Sequence, residues 1–230
     1  MDKLNVVKMT RKDIKGLQLV KNGKMGATSK VYRLNNLECL KIFNYNLSEY
    51  ELYRINKFTN ICITSVNFPT KLVIVDKKFK GYISDFINGE SLDTLSCIGY
   101  SEFINAAVPL LEAIRKVSVE RIRIFDSHEG NIMYNYDTGM LEIIDPVEWS
   151  FDYTSSIKEI HEKNFKMINS TIRRYLFHNS DIYNAATYIP NLKDITISDD
   201  FVEYYETLRE YMEEAKNVKI KSIVDSRRYI

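Results

Sequence analysis

The sequence predicts an α+β protein in which a strand-rich first third precedes a mainly helical remainder. In the first third, short apolar runs alternate with polar turns, as they do in a small antiparallel sheet. Beyond about residue 90, apolar residues recur at the three-and-four spacing of amphipathic helices. The composition, 45% hydrophobic and 27% charged over 230 residues, is that of a globular chain and suits a single domain.

Five strands and one helix are predicted before residue 88. The strands are expected at residues 17–20, 30–34, 39–43, 71–75 and 81–86. The helix is expected at 47–59, because Ser48 can cap its start and Leu52 and Ile55 recur at helical spacing. Together these elements predict a small antiparallel sheet that carries one helix.

The second part of the chain is predicted to hold three long helices and one hairpin. The helices are expected at 100–116, 155–177 and 199–215, and the hairpin strands at 132–135 and 140–144. A change of composition near Asn88 and Gly89 marks a hinge. We therefore expect a single domain, 1–230, with a front part at 1–87 and a back part at 88–230.

Charge, cysteine spacing and hydropathy exclude several classes of protein. The net charge is +1, so no overall field favours nucleic acid. The three cysteines, Cys39, Cys62 and Cys97, show neither disulfide nor metal-site spacing. The N-terminal residues lack the apolar core of a signal peptide, and no run is long enough to span a bilayer. The sequence predicts a cytoplasmic monomer with no membrane or nucleic-acid partner, although export by a signal that is not cleaved stays open.

A stretch at 23–32 carries two glycines between two predicted strands. Gly23 and Gly26 would let backbone amides approach phosphate oxygens, and Ser29 and Val31 lie at the end of the stretch. This pattern predicts a phosphate-binding loop. An ordinary hairpin turn is the alternative interpretation.

Lys41 stands in the otherwise apolar strand predicted at 39–43. A buried lysine needs a charged partner, and Glu51 or Glu49 on the next helix could supply one. Such a pair would fix the ammonium group over the α- and β-phosphates of a nucleotide. The alternative is a lysine on an edge strand that faces water.

Three polar residues flank the predicted hairpin. Asp126 lies five residues before Asn131, where it could accept a proton from an acceptor hydroxyl, and Asn131 could bind a metal through its side-chain oxygen. Asp145 ends the second hairpin strand, where a buried carboxylate needs a cation or hydrogen bonds. Because one hairpin separates them, Asn131 and Asp145 are expected to converge on Mg²⁺. The alternatives are a polar loop at 124–131 and a turn cap at Asp145.

Joined in this order, these stretches resemble the protein-kinase-like superfamily, which includes eukaryotic-type protein kinases, RIO-like kinases and aminoglycoside phosphotransferases. The resemblance runs from about residue 17 to residue 145. It implies a protein-kinase-like two-lobed fold, in which the N-lobe is an antiparallel sheet plus one helix and the C-lobe is helical and shortened. It also implies ATP and Mg²⁺ as cofactors.

The resemblance implies a role for each candidate residue. Lys41 is similar to the strand-three lysine of the family, and Glu51 is similar to its helix partner. Asp126 resembles the catalytic aspartate, whereas Asn131 and Asp145 resemble the metal ligands.

The resemblance also covers the strand and hinge that hold the adenine base. By this resemblance, backbone groups near Asp85, Phe86 and Ile87 would contact the base.

Several positions depart from the family pattern. Lys24 and Ser29 stand where the family often has glycine, and Pro146-Val147 follows Asp145 in place of Phe-Gly. An Ala-Pro-Glu motif is not found in the sequence, and the part after Asp145 is short. These departures are typical of a minimal kinase that works without a conventional activation segment.

The predicted function is transfer of the ATP γ-phosphoryl group to Ser or Thr of a protein substrate. The first alternative is a small-molecule phosphotransferase of the aminoglycoside or choline type, in which acidic residues near the C-terminus bind a cationic substrate. Those acidic residues are Glu203, Glu206, Glu210, Glu213 and Glu214. A non-catalytic kinase-like binding module and a nucleotidyl transferase are further alternatives.

Overall fold

The computed structural model describes residues 5–20, 28–176 and 201–228, and it combines a six-stranded sheet with several helices. The fold is therefore α+β, as the sequence predicts. Over these residues, none of the helices has the length and the apolar character needed to cross a membrane.

Six strands of the front part form one sheet. In chain order they are β1 (Val6–Met9), β2 (Gln18–Leu19), β3 (Ser29–Arg33), β4 (Glu38–Phe43), β5 (Pro69–Val75) and β6 (Lys78–Asp85). Their order across the sheet is β1-β5-β6-β4-β3-β2, so β4 and β6 lie at its centre. All five predicted strands are confirmed within a few residues.

The edge strand β1 was not expected from the sequence. It runs parallel to β5, whereas the other neighbouring pairs are antiparallel. The prediction of a purely antiparallel sheet is therefore wrong at this edge. The reason is that Val7 and Met9 of β1 complete an apolar cluster on one face of the sheet, a long-range contact that leaves no local pattern.

Two helices accompany the sheet, α1 (Arg11–Lys15) and α2 (Glu49–Phe58). Helix α2 is the predicted one, and the Ser48 hydroxyl caps it by accepting the Glu51 backbone N–H at 3.2 Å. On the sheet face beneath α2, buried apolar residues form one cluster: Phe43, Leu47, Ile55, Leu72, Tyr82 and Val147. The opposite face buries a second cluster around Leu40 and Ile83, which packs against Ile14 of α1.

The back part contains five short strands and four helices within the described residues. The strands are β7 (Gly89–Ser91), β8 (Ile122–Arg123), β9 (Ile132–Asn135), β10 (Met140–Ile143) and β11 (Ser150–Phe151). The helices are α3 (Tyr100–Val119), α4 (Ile157–Leu176), α5 (Phe201–Lys216) and α6 (Ile223–Arg228). The predicted hairpin is β9–β10, and the three predicted long helices are α3, α4 and α5. Residues 177, 199 and 200 of the two predicted helix ranges lie outside the described residues.

A loop at 65–67 joins the front and back parts. Ser65 accepts the Ile143 N–H at 3.0 Å, and the Asn67 N–H donates to the Ile143 carbonyl at 2.9 Å. The Asn67 side chain also donates to the Asp85 carbonyl at 2.8 Å. The end of β10 is thereby tied to the end of β6, which fixes where the chain after Ile143 meets the sheet.

Helix α4 holds the loop that follows β8. The Ile124 N–H donates to Asn164 Oδ1 at 2.9 Å, and Asn164 Nδ2 donates to the Ile122 carbonyl at 2.7 Å. Further along the loop, the Thr171 hydroxyl donates to the Ser127 carbonyl at 2.9 Å. Both α4 side chains are fully buried, so the loop is anchored by hydrogen bonds shielded from water.

We predict that Asn164→Ala lowers the free energy of unfolding by about 2–4 kcal/mol, because the buried Ile124 N–H and Ile122 carbonyl both lose their Asn164 partner. Urea denaturation measures this change. Lys163→Ala, an exposed neighbour on α4, is the control and should change the free energy by less than about 0.5 kcal/mol. Equal effects of the two substitutions would contradict the anchoring role.

Candidate functional site

Lys41 lies at the centre of the front sheet on the face that α2 covers. In the strand register it stands opposite Val31 on β3 and Tyr82 on β6, and directly opposed residues share a face. Its side chain is only 12% exposed. The alternative of a water-facing lysine on an edge strand is therefore excluded, and the ammonium group needs a partner.

Asp145 is that partner. Lys41 Nζ forms an ion pair with Asp145 Oδ2, and the Tyr82 hydroxyl donates to Asp145 Oδ1 at 3.2 Å. Burial and then the negative charge of Asp145 raise the pKa of Tyr82 well above its usual value, so the phenol remains a donor. The Asp145 side chain is 29% exposed, so its carboxylate is held by two donors from the sheet and still reaches solvent.

The backbone at Asp126 and Asp145 adopts left-handed conformations, with φ values of 54° and 61°. Such φ values cost most residues about 1–2 kcal/mol, although aspartate tolerates them better than branched residues. Ile143 is buried in the core of the back part, whereas Val147 is buried between the sheet and α2. The turn at Asp145 is therefore fixed on both sides, as strained functional residues often are.

Asn131 lies beside the segment that ends in Asp145. Its backbone carbonyl accepts the Ile144 N–H at 2.9 Å, and its Nδ2 donates to the Asp126 carbonyl at 2.8 Å. Because Nδ2 is the donor, Oδ1 is the atom left for a ligand, and no described residue donates a hydrogen bond to it. Asn131 is 8% exposed. These two hydrogen bonds place Asn131 next to the backbone of Asp126 and next to Ile144, the residue before Asp145.

Asp126 is an exposed residue of the loop that follows β8. Two residues later, His128 Nδ1 accepts the Gly130 N–H at 3.1 Å and closes a single turn of 3-10 helix over Glu129–Asn131. This turn and the α4 anchors fix the backbone on either side of Asp126. The carboxylate is positioned by the loop and remains available to an incoming group.

The predicted ion pair between Lys41 and a carboxylate of α2 is wrong. Glu51 Oε2 accepts hydrogen bonds from the Ser48 N–H at 2.8 Å and the Ser48 hydroxyl at 2.7 Å. Its Oε1 accepts the Tyr45 hydroxyl at 2.9 Å. Partial burial alone would raise the pKa of Glu51, but these hydrogen bonds lower it. Glu51 is therefore held in the helix cap, and Lys41 forms its ion pair with Asp145 instead.

Tyr45 connects Glu51 to the charges of the site. Burial, followed by its hydrogen bond and the charge of Glu51, raises the pKa of Tyr45 to about 12. Glu148 and Asp145 contribute to the same rise. Negative charges from α2 and from the turn after β10 therefore meet around this hydroxyl.

The predicted base-contacting residues lie at and after the end of β6. The Asp85 carbonyl accepts Asn67 Nδ2, and the Phe86 N–H donates to the Leu37 carbonyl at 2.8 Å. The Ile87 side chain is buried. Two of the backbone groups expected to meet adenine thus have protein partners, although a carbonyl can accept a second hydrogen bond.

Only the end of the predicted phosphate loop can be placed. Gly23 and Gly26 lie outside the described residues, whereas Ser29 is buried on β3 and Val31 faces Lys41 across the strand pair. An open depression of about 530 Å³ lies beside Asp85 and residues 35–38. It does not include Lys41, so it is separate from the ion pair.

Within the described residues, no three His, Cys, Asp or Glu side chains are grouped as metal ligands. The predicted Mg²⁺ site differs in kind, because it uses one carboxylate, Asp145, and one amide oxygen of Asn131. The Asp145 carboxylate and the Asn131 amide oxygen are hard oxygen donors, which Mg²⁺ prefers. Magnesium usually keeps water or phosphate oxygens as its other ligands.

Sequence reasoning missed two residues that position the site. Tyr82 lies in a buried apolar strand, so the sequence alone predicts a core residue. Only its position opposite Lys41 in the strand register indicates a role in the site. Asn67 lies in a connecting loop, where asparagine usually signals a turn. A register drawn from the predicted β4–β6 pair could have found Tyr82, whereas no local signal identifies Asn67.

We predict that Tyr82→Phe and Asp145→Ala are coupled in stability by about 1 kcal/mol, because the first removes the donor and the second the acceptor of the same hydrogen bond. A double-mutant cycle in urea measures the coupling. Tyr134→Phe, which removes a hydroxyl that donates to Glu102 elsewhere, is the control and should be additive with Asp145→Ala. Additivity of the Tyr82 pair would contradict the described contact.

A search against protein-family models finds no match for this sequence. A search of curated proteins finds none either. The contacts of Lys41, Asn131 and Asp145 therefore carry the functional interpretation.

Proposed function

We propose that this protein is an ATP- and Mg²⁺-dependent phosphotransferase with a protein-kinase-like fold, and that it phosphorylates Ser or Thr of a protein. The contact between Lys41 and Asp145 carries the proposal. An ammonium group and a carboxylate held together at one site match the opposite charges of a magnesium–nucleotide complex. The ammonium group suits the phosphates, and the carboxylate suits the metal ion.

The order of the parts along the chain supports this assignment. Lys41 is on a central strand, α2 follows it, and Asp126 and Asn131 precede the β9–β10 hairpin that leads to Asp145. Kinases use a strand lysine, a catalytic-loop Asp and Asn, and a metal-binding Asp in the same order. The two-lobed arrangement, with an N-lobe at 1–87 and a C-lobe at 88–230, is part of the proposal.

Each residue has a distinct role in the proposed reaction. Lys41 binds the α- and β-phosphates, and the exposed carboxylate of Asp126 orients the acceptor hydroxyl and takes its proton. Asn131 Oδ1 and the Asp145 carboxylate would hold Mg²⁺, which would neutralise negative charge on the bound phosphates. Because Lys41 and Asp145 pair with each other, they have to separate as the nucleotide enters.

The charges of α5 favour a protein acceptor over a cationic small molecule. Glu206 pairs with Arg209 at 2.7 Å, and Glu213 pairs with Lys219 at 2.6 Å. The predicted acidic surface is therefore partly neutralised by its own chain.

A purely non-catalytic module has no need of the exposed Asp126 carboxylate beside Asn131, which favours catalysis.

We predict that the purified protein transfers label from γ-labelled ATP to itself or to a generic protein in the presence of Mg²⁺. Asp145→Asn should reduce the rate by at least about 10²-fold, because it removes the charge that holds the metal. Asp137→Asn, a surface aspartate on the hairpin turn, is the matched control and should keep the activity. An unchanged rate in Asp145→Asn would contradict the proposal.

The same assay distinguishes the alternatives. Label from α-labelled ATP indicates nucleotidyl transfer, and label on aminoglycosides or choline alone indicates a small-molecule kinase. The absence of any stabilisation of the protein by Mg-ATP in thermal unfolding would contradict the enzymatic alternatives together.

We predict that Glu51→Gln changes kcat/KM by less than about threefold, because the glutamine oxygen can still cap α2 while its NH₂ group donates to the Tyr45 oxygen. Lys41→Met should instead lower kcat/KM by at least about 10²-fold. Steady-state kinetics with both variants checks this difference. A loss in Glu51→Gln as large as that in Lys41→Met would show that Glu51 pairs with Lys41 during turnover.

A further inference from the structure

Arg54 on α2 is a buried cation without an acidic partner. The residue is 8% exposed, and its Nε is buried with no hydrogen-bond acceptor. None of the ion pairs among the described residues includes it. Arginine is rarely buried without compensation, because removing the charge from water is costly.

The nearest candidate for compensation is already engaged. Glu51 lies one turn before Arg54, and the positive charge of Arg54 helps to lower the pKa of Glu51. However, both Glu51 oxygens accept hydrogen bonds, from Ser48 and from Tyr45. The Arg54 guanidinium group therefore lacks the bidentate carboxylate or phosphate partner that arginine prefers.

Arg54 belongs to a cationic stripe on α2, formed by Tyr50, Tyr53, Arg54 and Lys57. The Arg54 guanidinium lies 5.1 Å from the centre of the Tyr50 ring, and Lys57 Nζ lies 5.8 Å from that of Tyr53. The two tyrosines are 60% and 52% exposed. The four residues repeat at helical spacing, so the stripe offers two cations and two hydroxyl groups, whereas both α2 carboxylates lie outside it.

We propose that Arg54 is the centre of an anion-binding site that takes a phosphoryl group. A phosphoryl group supplies a pair of oxygens for the guanidinium fork and further oxygens for the neighbouring hydroxyl groups. Its double negative charge also compensates both Arg54 and Lys57, which a single carboxylate does not. The site rests on the burial and contacts of α2 and is independent of the reaction proposed for Lys41 and Asp145.

Thermal unfolding with inorganic phosphate at constant ionic strength tests this site. The wild-type protein should show a saturable rise in Tm, about 3–6 °C at ten times Kd. Arg54→Met should abolish the rise, and it should not lower the Tm in phosphate-free buffer, because it removes an uncompensated buried charge. Lys158→Met, which removes an exposed charge on α4, is the control and should keep the full response.

A second measurement needs no variant. The Arg54 Nε–H resonance of the wild-type protein should shift with phosphate and saturate at the same concentration as the Tm. No saturable change in either measurement, or an equal Tm response in Arg54→Met, would overturn the site. Arg54→Lys keeps the charge without the fork and should weaken binding about tenfold.

Two sources of the phosphoryl group can be separated in the same assay. Tighter binding of O-phosphoserine than of inorganic phosphate indicates a phosphate ester on a protein side chain. Tighter binding of inorganic phosphate indicates the free ion. Either order supports a phosphoryl site, whereas acetate binding as tightly as phosphate would contradict the choice of ligand.

Discussion

The ion pair between Lys41 and Asp145 is the interaction on which the candidate site depends. It joins the central strand of the front sheet to the residue that follows the hairpin of the back part. Each partner alone would be a costly, largely buried charge, so the pair stabilises the junction only while both are present. The Tyr82 hydroxyl adds a second donor from the same sheet face and sets the orientation of the carboxylate.

The rest of the fold brings these two residues together and keeps them there. The loop at 65–67 ties β10 to β6, and Val147 is buried beneath α2, so Asp145 has little freedom between them. On the other side, Asn164 and Thr171 of α4 hold the loop that carries Asp126 and Asn131. The charged side chains are thus positioned by buried hydrogen bonds and packing, an arrangement that gives a site rigid geometry.

The same ion pair also bears on the ligand of the proposed site. A ligand that brings both a polyanion and a divalent cation can replace one contact with two, because Lys41 gains phosphate oxygens as Asp145 gains a metal ion. A ligand with only one of these charges would leave Lys41 or Asp145 partly buried and without an oppositely charged partner. On the proposed function, the pair would therefore favour a metal–nucleotide complex over either component alone.

Most regular elements could be predicted from the sequence, because apolar spacing and caps such as Ser48 are local signals. Lys41 and Asp145 could also be picked out as candidate site residues, because a charge within or just after an apolar strand is conspicuous. The ion pair between them could not be predicted. Glu51 has the right sequence separation from Lys41, but it forms a capping box with Ser48, which the Ser-x-x-Glu spacing itself indicates. Only the three-dimensional path of the chain shows that Asp145 reaches Lys41.

Residues whose role depends on long-range contacts escaped prediction. Strand β1 is four residues long and gains its place by pairing with β5, far away in sequence. Tyr82 reads as core until its register opposite Lys41 is known. Arg54 reads as an ordinary helix residue, because burial of a charge is a property of the folded protein alone.

The proposed nucleotide site is tested most directly by an NMR titration of the labelled wild-type protein with ATP and Mn²⁺ as a paramagnetic substitute for Mg²⁺. If Asn131 and Asp145 hold the metal ion, the Asn131 side-chain amide and the backbone amides of Ile144 and Asp145 should broaden selectively, together with a shift at Lys41. Broadening centred elsewhere, or none at saturating nucleotide, would contradict a shared site for these residues.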